Sequence, residues 1–136
     1  MKFGLKPRVS VLLLTCILIL PIIFLVGCDG GLSATGNVYE WMDAPPDFKG
    51  DIYVDVDPPS NRIIKPLSTS RVYLFWDDPV ETDFKGAFSM HAVVAPGRYM
   101  MDIRVEKEGY VTLKNQFQHN GGGLISHNIS VFLTRK

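Results

Sequence analysis

Cysteine is scarce in this chain of 136 residues: there are two, Cys16 and Cys28, so the part beyond residue 28 cannot close an internal disulfide. An excess of charge is also missing. Fourteen Lys and Arg balance fourteen Asp and Glu, and from Cys28 onward 11 bases meet 14 acids, a net of −3. A mildly acidic body without a basic stripe argues against nucleic acid as the main partner, because neutralising phosphates needs clustered Lys and Arg. His91, His119 and His127 are not three to five residues apart, which removes the usual zinc spacing. No G-x-S-x-G is present, and Gly121-Gly122-Gly123 is followed by neither Lys nor a helical pattern, so it reads as a hairpin connection and not as a phosphate loop. No cofactor and no metal are expected. Beyond residue 28, no stretch of ten residues has helical periodicity.

What is present begins with a split in the charge. Lys2, Lys6 and Arg8 precede VSVLLLTCILILPIIFLV, an uncharged run over residues 9–26, and every acid follows it. This arrangement reads as an export signal. As a helix the 18 residues would reach about 27 Å at roughly 1.5 Å each, near the ~30 Å hydrocarbon core, so length alone leaves a cleaved signal and a retained span both open.

The run ends in Leu25-Val26-Gly27-Cys28, which resembles the lipobox of bacterial lipoproteins. The resemblance implies a signal peptide over residues 1–27, cleavage after Gly27, and a diacylglycerol on the Cys28 thiol. Two or three acyl chains, at about 0.8 kcal/mol per buried methylene, anchor persistently where one is marginal. The chain is thus expected in a bacterial cell envelope, lipid-anchored to a membrane on its periplasmic or outer face. Residues 28–35, small and glycine-rich from Asp29 on, read as a flexible tether.

Short segments with period-two alternation follow. GNVYEW (residues 36–41) reads as a first strand, and RVYLFW (residues 71–76) places Val72, Leu74 and Trp76 on one face. Residues 87–94 bring Phe88, Met90, Ala92 and Val94 together. Residues 98–106 align Tyr99, Met101, Ile103 and Val105. Residues 110–118 carry Val111, Leu113 and Phe117, and residues 125–133 set Ile125, Ile129, Val131 and Leu133 on one side, with His127 as a rim histidine held by backbone. Turn signals separate them at Asp77-Asp78-Pro79, Lys85-Gly86, Pro96-Gly97 and Glu108-Gly109. The expected fold is all-β: a single antiparallel β-sandwich of about seven strands after the signal helix.

Four of these pieces carry a second resemblance. Gly36-Asn37-Val38-Tyr39-Glu40, Thr82-Asp83-Phe84-Lys85-Gly86-Ala87-Phe88, Val94-Ala95-Pro96-Gly97-Arg98-Tyr99 and Gly109-Tyr110 are similar, in order, to motifs of the carboxypeptidase regulatory-like, transthyretin-like sandwich family. The resemblance spans residues 36–136 and implies a non-enzymatic module. The residues themselves suit that reading: Gly86 can take positive φ in a turn, and Asp83 can accept hydrogen bonds from nearby amides.

One departure from the family is an inserted segment, residues 42–70, with Pro45-Pro46 and Pro58-Pro59 at its bends. Within it residues 51–57 alternate, predicting a strand with Ile52, Val54 and Val56 facing the domain and Tyr53 and the aspartates facing water. Asp51, Asp55 and Asp57, about 6.5 to 7 Å apart along such a strand, are too spread to share one calcium ion. Inserted loops on a rigid scaffold are where binding sites tend to lie; the competing reading is a solvated acidic strand that blunts a sheet edge. The expected function is a membrane-anchored, non-catalytic binding module for an envelope protein, peptide or glycan. The alternative is a carrier for a small apolar ligand, which would need a pocket lined by Trp76, Tyr99 and Phe117.

Overall fold

The computed structural model describes residues 30–74, 78–95, 97–121 and 123–136; Cys28, the rest of the expected signal and Trp76 lie outside them. The described residues form nine strands in two sheets and no helix. The first sheet contains β1 (Gly30–Trp41), β2 (Asp51–Val54), β3 (Ile64–Pro66), β6 (Ala87–Val94) and β9 (Leu124–Leu133). Its order is β2-β9-β1, and the free side of β1 is shared end to end by β6, which pairs residues 30–37, and β3, which pairs residues 39–41. The second sheet runs β5-β4-β7-β8, from β4 (Arg71–Tyr73), β5 (Val80–Glu81), β7 (Gly97–Glu106) and β8 (Leu113–Gly121).

The sheets meet through the alternating side chains. Leu32, Ala34 and Val38 of β1 and Ile129, Val131 and Leu133 of β9 pack against Val72, Leu74, Met101, Ile103 and Val105 in one apolar core. Burying each such side chain contributes about 1.5–3 kcal/mol, which lets a disulfide-free domain of this size hold together.

Several expectations are corrected. The first strand starts at Gly30 and not at residue 36, so residues 30–35 of the expected tether are sheet. GGLSAT suits this place because its neighbours leave little room: a Cβ on Gly30 would fall 2.8 Å from the Val94 carbonyl oxygen, and one on Gly31 2.7 Å from the Leu124 Cδ1. The sandwich is not wholly antiparallel, since β1 and β9 run parallel over residues 31–40 and 124–133. Gly121 and Gly123 flank a crossing from one sheet to the other, not a hairpin. In the insertion, β2 ends at Val54; Asp55 takes φ 57° and Val56 is exposed. Val111, expected in a strand, precedes β8 and is exposed.

The turn at residues 82–87 forms as its residues predict. Gly86 has φ +72°, and Asp83 Oδ1 accepts from the Lys85 and Ala87 amides at 2.8 and 2.9 Å. Thr82 is buried beneath it and donates to the Leu67 carbonyl at 2.6 Å.

Candidate functional site

The insertion folds back over the outer face of the first sheet. Tyr39 and Trp41 alternate with the core residues of β1 and therefore point outward, and Phe132 of β9 pairs with Tyr39 across the strands. Left open, these aromatic rings would be a solvent-exposed apolar face. Arg62 closes it: its guanidinium lies 4.2 Å from the Trp41 ring centroid and 4.5 Å from that of Phe132, and donates to both Asp51 oxygens at 3.0 and 2.8 Å. With its side chain 7% exposed, Arg62 is stacked on rings and forked onto a carboxylate at once, a geometry lysine cannot reproduce. The Asp51 hydrogen bonds push its pKa up against burial. Tyr53 faces this cluster and not open water: its hydroxyl donates to Asp51 at 2.8 Å and accepts from Arg62 at 3.0 Å. Burial, then the Asp51 hydrogen bond, raises the Tyr53 pKa. An outward-facing Tyr-x-Trp in β1 and the Phe between Val131 and Leu133 were the sequence signal for this second cluster.

Beside the clamp the insertion ends in exposed apolar groups. Met42 and Ile63 are joined by the 2.8 Å bond from the Met42 amide to the Ile63 carbonyl, and Ile64 pairs with Trp41. They are 54%, 63% and 44% exposed. Among the described residues β3 pairs only with β1, so its outer edge is free next to this patch.

A second constellation joins the two sheets. His127 of β9 faces inward as expected, but its partners are side chains: Nδ1 lies 2.6 Å from Asp55 Oδ2, and Nε2 lies 3.0 Å from Nδ1 of His119 on β8. The left-handed turn at Asp55 aims this carboxylate, whose other oxygen accepts from the Asn128 amide at 2.8 Å. In the tautomer in which His127 Nδ1–H donates to Asp55 and Nε2 is bare, that Nε2 accepts from His119 Nδ1. Burial, then the neighbouring His127, holds the His119 pKa below its usual range. His119 is 1% exposed. Its imidazole is therefore sealed from any bulk substrate, and the chain of three works as a latch between sheets.

Of the three residues expected to line an apolar pocket, Trp76 lies outside the described residues, and Tyr99 and Phe117 pack against the two imidazoles. Tyr99 lies 5.1 Å from His119, and Phe117 meets His127 edge-on at 5.0 Å. The Tyr99 hydroxyl is shielded and finds no partner among the described residues. His91 is exposed on β6. Asp51 serves Arg62 and Asp55 serves His127, so the acids of the 51–57 segment act separately, and among the described residues no three His, Cys, Asp or Glu side chains are arranged to hold one metal ion. A shallow depression of about 540 Å³ on the outer face of β7 and β8 is lined by Asp102, Arg104, Lys114 and Gln116, where Gln116 already donates to Asp102 at 2.6 Å.

The resemblance motifs also touch one another. A Cβ on Gly36 would fall 2.9 Å from the Phe88 ring, the Val38 amide donates to the Gly86 carbonyl at 2.8 Å, and the Tyr110 hydroxyl donates to Glu40 at 2.8 Å. Arg135 forks onto the same carboxylate at 2.5 and 3.1 Å and, as the largest influence, holds the Glu40 pKa low. Burial, then the bond to Glu40, raises that of Tyr110. Comparison with known protein families, curated proteins and solved structures finds no match for this chain.

Proposed function

We propose that this chain is a bacterial envelope lipoprotein: a transthyretin-like, carboxypeptidase regulatory-like sandwich, anchored through an acylated Cys28, that binds an extended segment of an envelope protein without catalysing a reaction. The lipobox-like residues 25–28 support the anchor, and the contacts among Gly36, Phe88, Val38, Gly86, Glu40 and Tyr110 support the family type. The observation that carries the binding role is the exposed Met42, Ile63 and Ile64 beside the free edge of β3. Apolar side chains next to the outward Ile64 amide and the outward carbonyls of Ile64 and Pro66 suit strand addition over a short stretch, with the edge supplying affinity and the side chains selectivity. A glycan is favoured less, because in the polar depression on β7 and β8 Gln116 already donates to Asp102. A carrier role is disfavoured by the imidazoles packed against Tyr99 and Phe117.

Two measurements test this. Cys28→Ser is expected to release the protein from membranes on fractionation and to stop signal cleavage; a processed form that stays in the membrane overturns the anchor. A photo-crosslinker at Ile63 is expected to give a discrete adduct in intact cells that is lost when Met42 and Ile64 become Ser. Equal yields from Ile63 and from the exposed Ser89 overturn the binding surface.

A further inference from the structure

Because β1 begins at Gly30, only one residue separates the sheet from Cys28, and two extended residues span at most about 7 Å. The sandwich therefore cannot stand off a surface that holds Cys28. The end next to Gly30 is built unlike the rest of the domain. Gly31 is flanked in one cross-strand row by Val93 of β6 and Leu124 of β9, so both side chains stand on the same outer face. They are 69% and 83% exposed, and Leu124 leans over the glycine, its Cδ1 2.7 Å from where a Cβ would be. The segments that make this end, residues 30–33, 91–98 and 119–126, contain no Asp or Glu and one Arg, Arg98, within a body of net −3. Asp55, whose amide bonds to the Asn128 carbonyl, sits further in along the sheet, and its carboxylate is held by His127 and the Asn128 amide. Asp29, beside the anchor, is the one acid close in sequence.

We infer that Val93 and Leu124 insert into the headgroup and acyl boundary of the phospholipid leaflet that holds Cys28, docking the domain directly on the membrane with β1 pointing away from it. Three features favour lipid over a second copy of the chain: the short link to the anchor, the apolar pair at that link, and three segments free of the carboxylates that an anionic leaflet would repel, with Asp29 the one acid beside them. The proposal rests on the lipid-anchor reading. It also reverses the role expected for residues 28–35, which hold the domain down where a tether would lift it.

The test uses the full, processed protein reconstituted in phosphatidylethanolamine and phosphatidylglycerol vesicles, with an environment-sensitive fluorophore on Leu124→Cys, on Val93→Cys or, as reference, on Phe84→Cys, whose native side chain is 79% exposed on the turn beside Val38. Intact mass is measured on each sample. The expected result is blue-shifted emission at 124 and 93, quenched by brominated acyl chains and shielded from iodide, with residue 84 iodide-accessible. Equal iodide access at all three positions with Cys28 acylated overturns the docking and leaves the anchor standing. Shielding that rises with the protein-to-lipid ratio while brominated lipid fails to quench marks a second copy and also overturns it. An unacylated Cys28 overturns both the anchor and the docking.

Discussion

Gly86→Ala tests the junction between the turn and the opening strand. Gly86 has φ +72°, a conformation that costs a residue with a side chain about 1–2 kcal/mol. The added methyl would fall 2.4 Å from the Val38 carbonyl oxygen and 3.1 Å from the Leu67 amide nitrogen, both backbone atoms that cannot swing aside. Those atoms bond to each other at 2.9 Å, and the Val38 amide donates to Gly86 itself at 2.8 Å. Weakening one or both bonds adds about 0.5–1.5 kcal/mol each. The expected loss is about 2–4 kcal/mol, which at roughly 4–8 °C per kcal/mol lowers the melting midpoint by about 10–25 °C. Gly109→Ala is the control, because Gly109 also has positive φ, 81°, but open space where its Cβ would be. Its loss should stop at the conformational part, about 1–2 kcal/mol. Chemical denaturation of both variants measures the difference. Equal losses, or a Gly86→Ala loss under about 1 kcal/mol, would refute the steric argument.

Arg62→Ala should cost about 2–3 kcal/mol, because it removes charged hydrogen bonds to Asp51 and the cover over Trp41 and Phe132. Limited proteolysis should then cut residues 55–62 first, and Arg62→Lys should recover only part of the loss; full recovery by Lys would sink the fork-and-stack reading. For His119 the folded pKa lies below the unfolded value of 6.5, so the unfolded chain takes up the proton first. Stability is therefore complete above about pH 6.5 and declines as pH falls below it. Denaturation midpoints at pH 7.5, 6.5 and 5.5 should decline in the natural chain and be flatter in His119→Phe, and parallel slopes would remove His119 as the cause.

The parts of the fold that were legible in the sequence are those whose signal is local. β6, β7 and β9 alternate large apolar and polar residues over eight to ten positions, and the 82–87 turn carries its own glycine and aspartate. The start of β1 has no such signal. Gly30, Gly31 and Gly36 are small because Val94, Leu124 and Ile129 crowd them, a reason visible only once β6 and β9 lie on either side. Parallel pairing of the first and last strands is likewise a long-range fact with no local mark. The latch escaped for the same cause: His119 and His127 sit in different sheets, and Asp55 reaches them through a left-handed turn that nothing in its neighbours announces.

The parallel pairing of β1 with β9 governs how the domain answers force. A pull on the chain entering at Gly30, resisted at the far end of the sheet, runs along the strands and across their hydrogen bonds. The ten residue pairs between them then share the load in shear, where a peeling geometry would break them one after another. β6 and β3 grip the opposite side of the same strand, so a load along that line meets hydrogen bonds on both sides of β1.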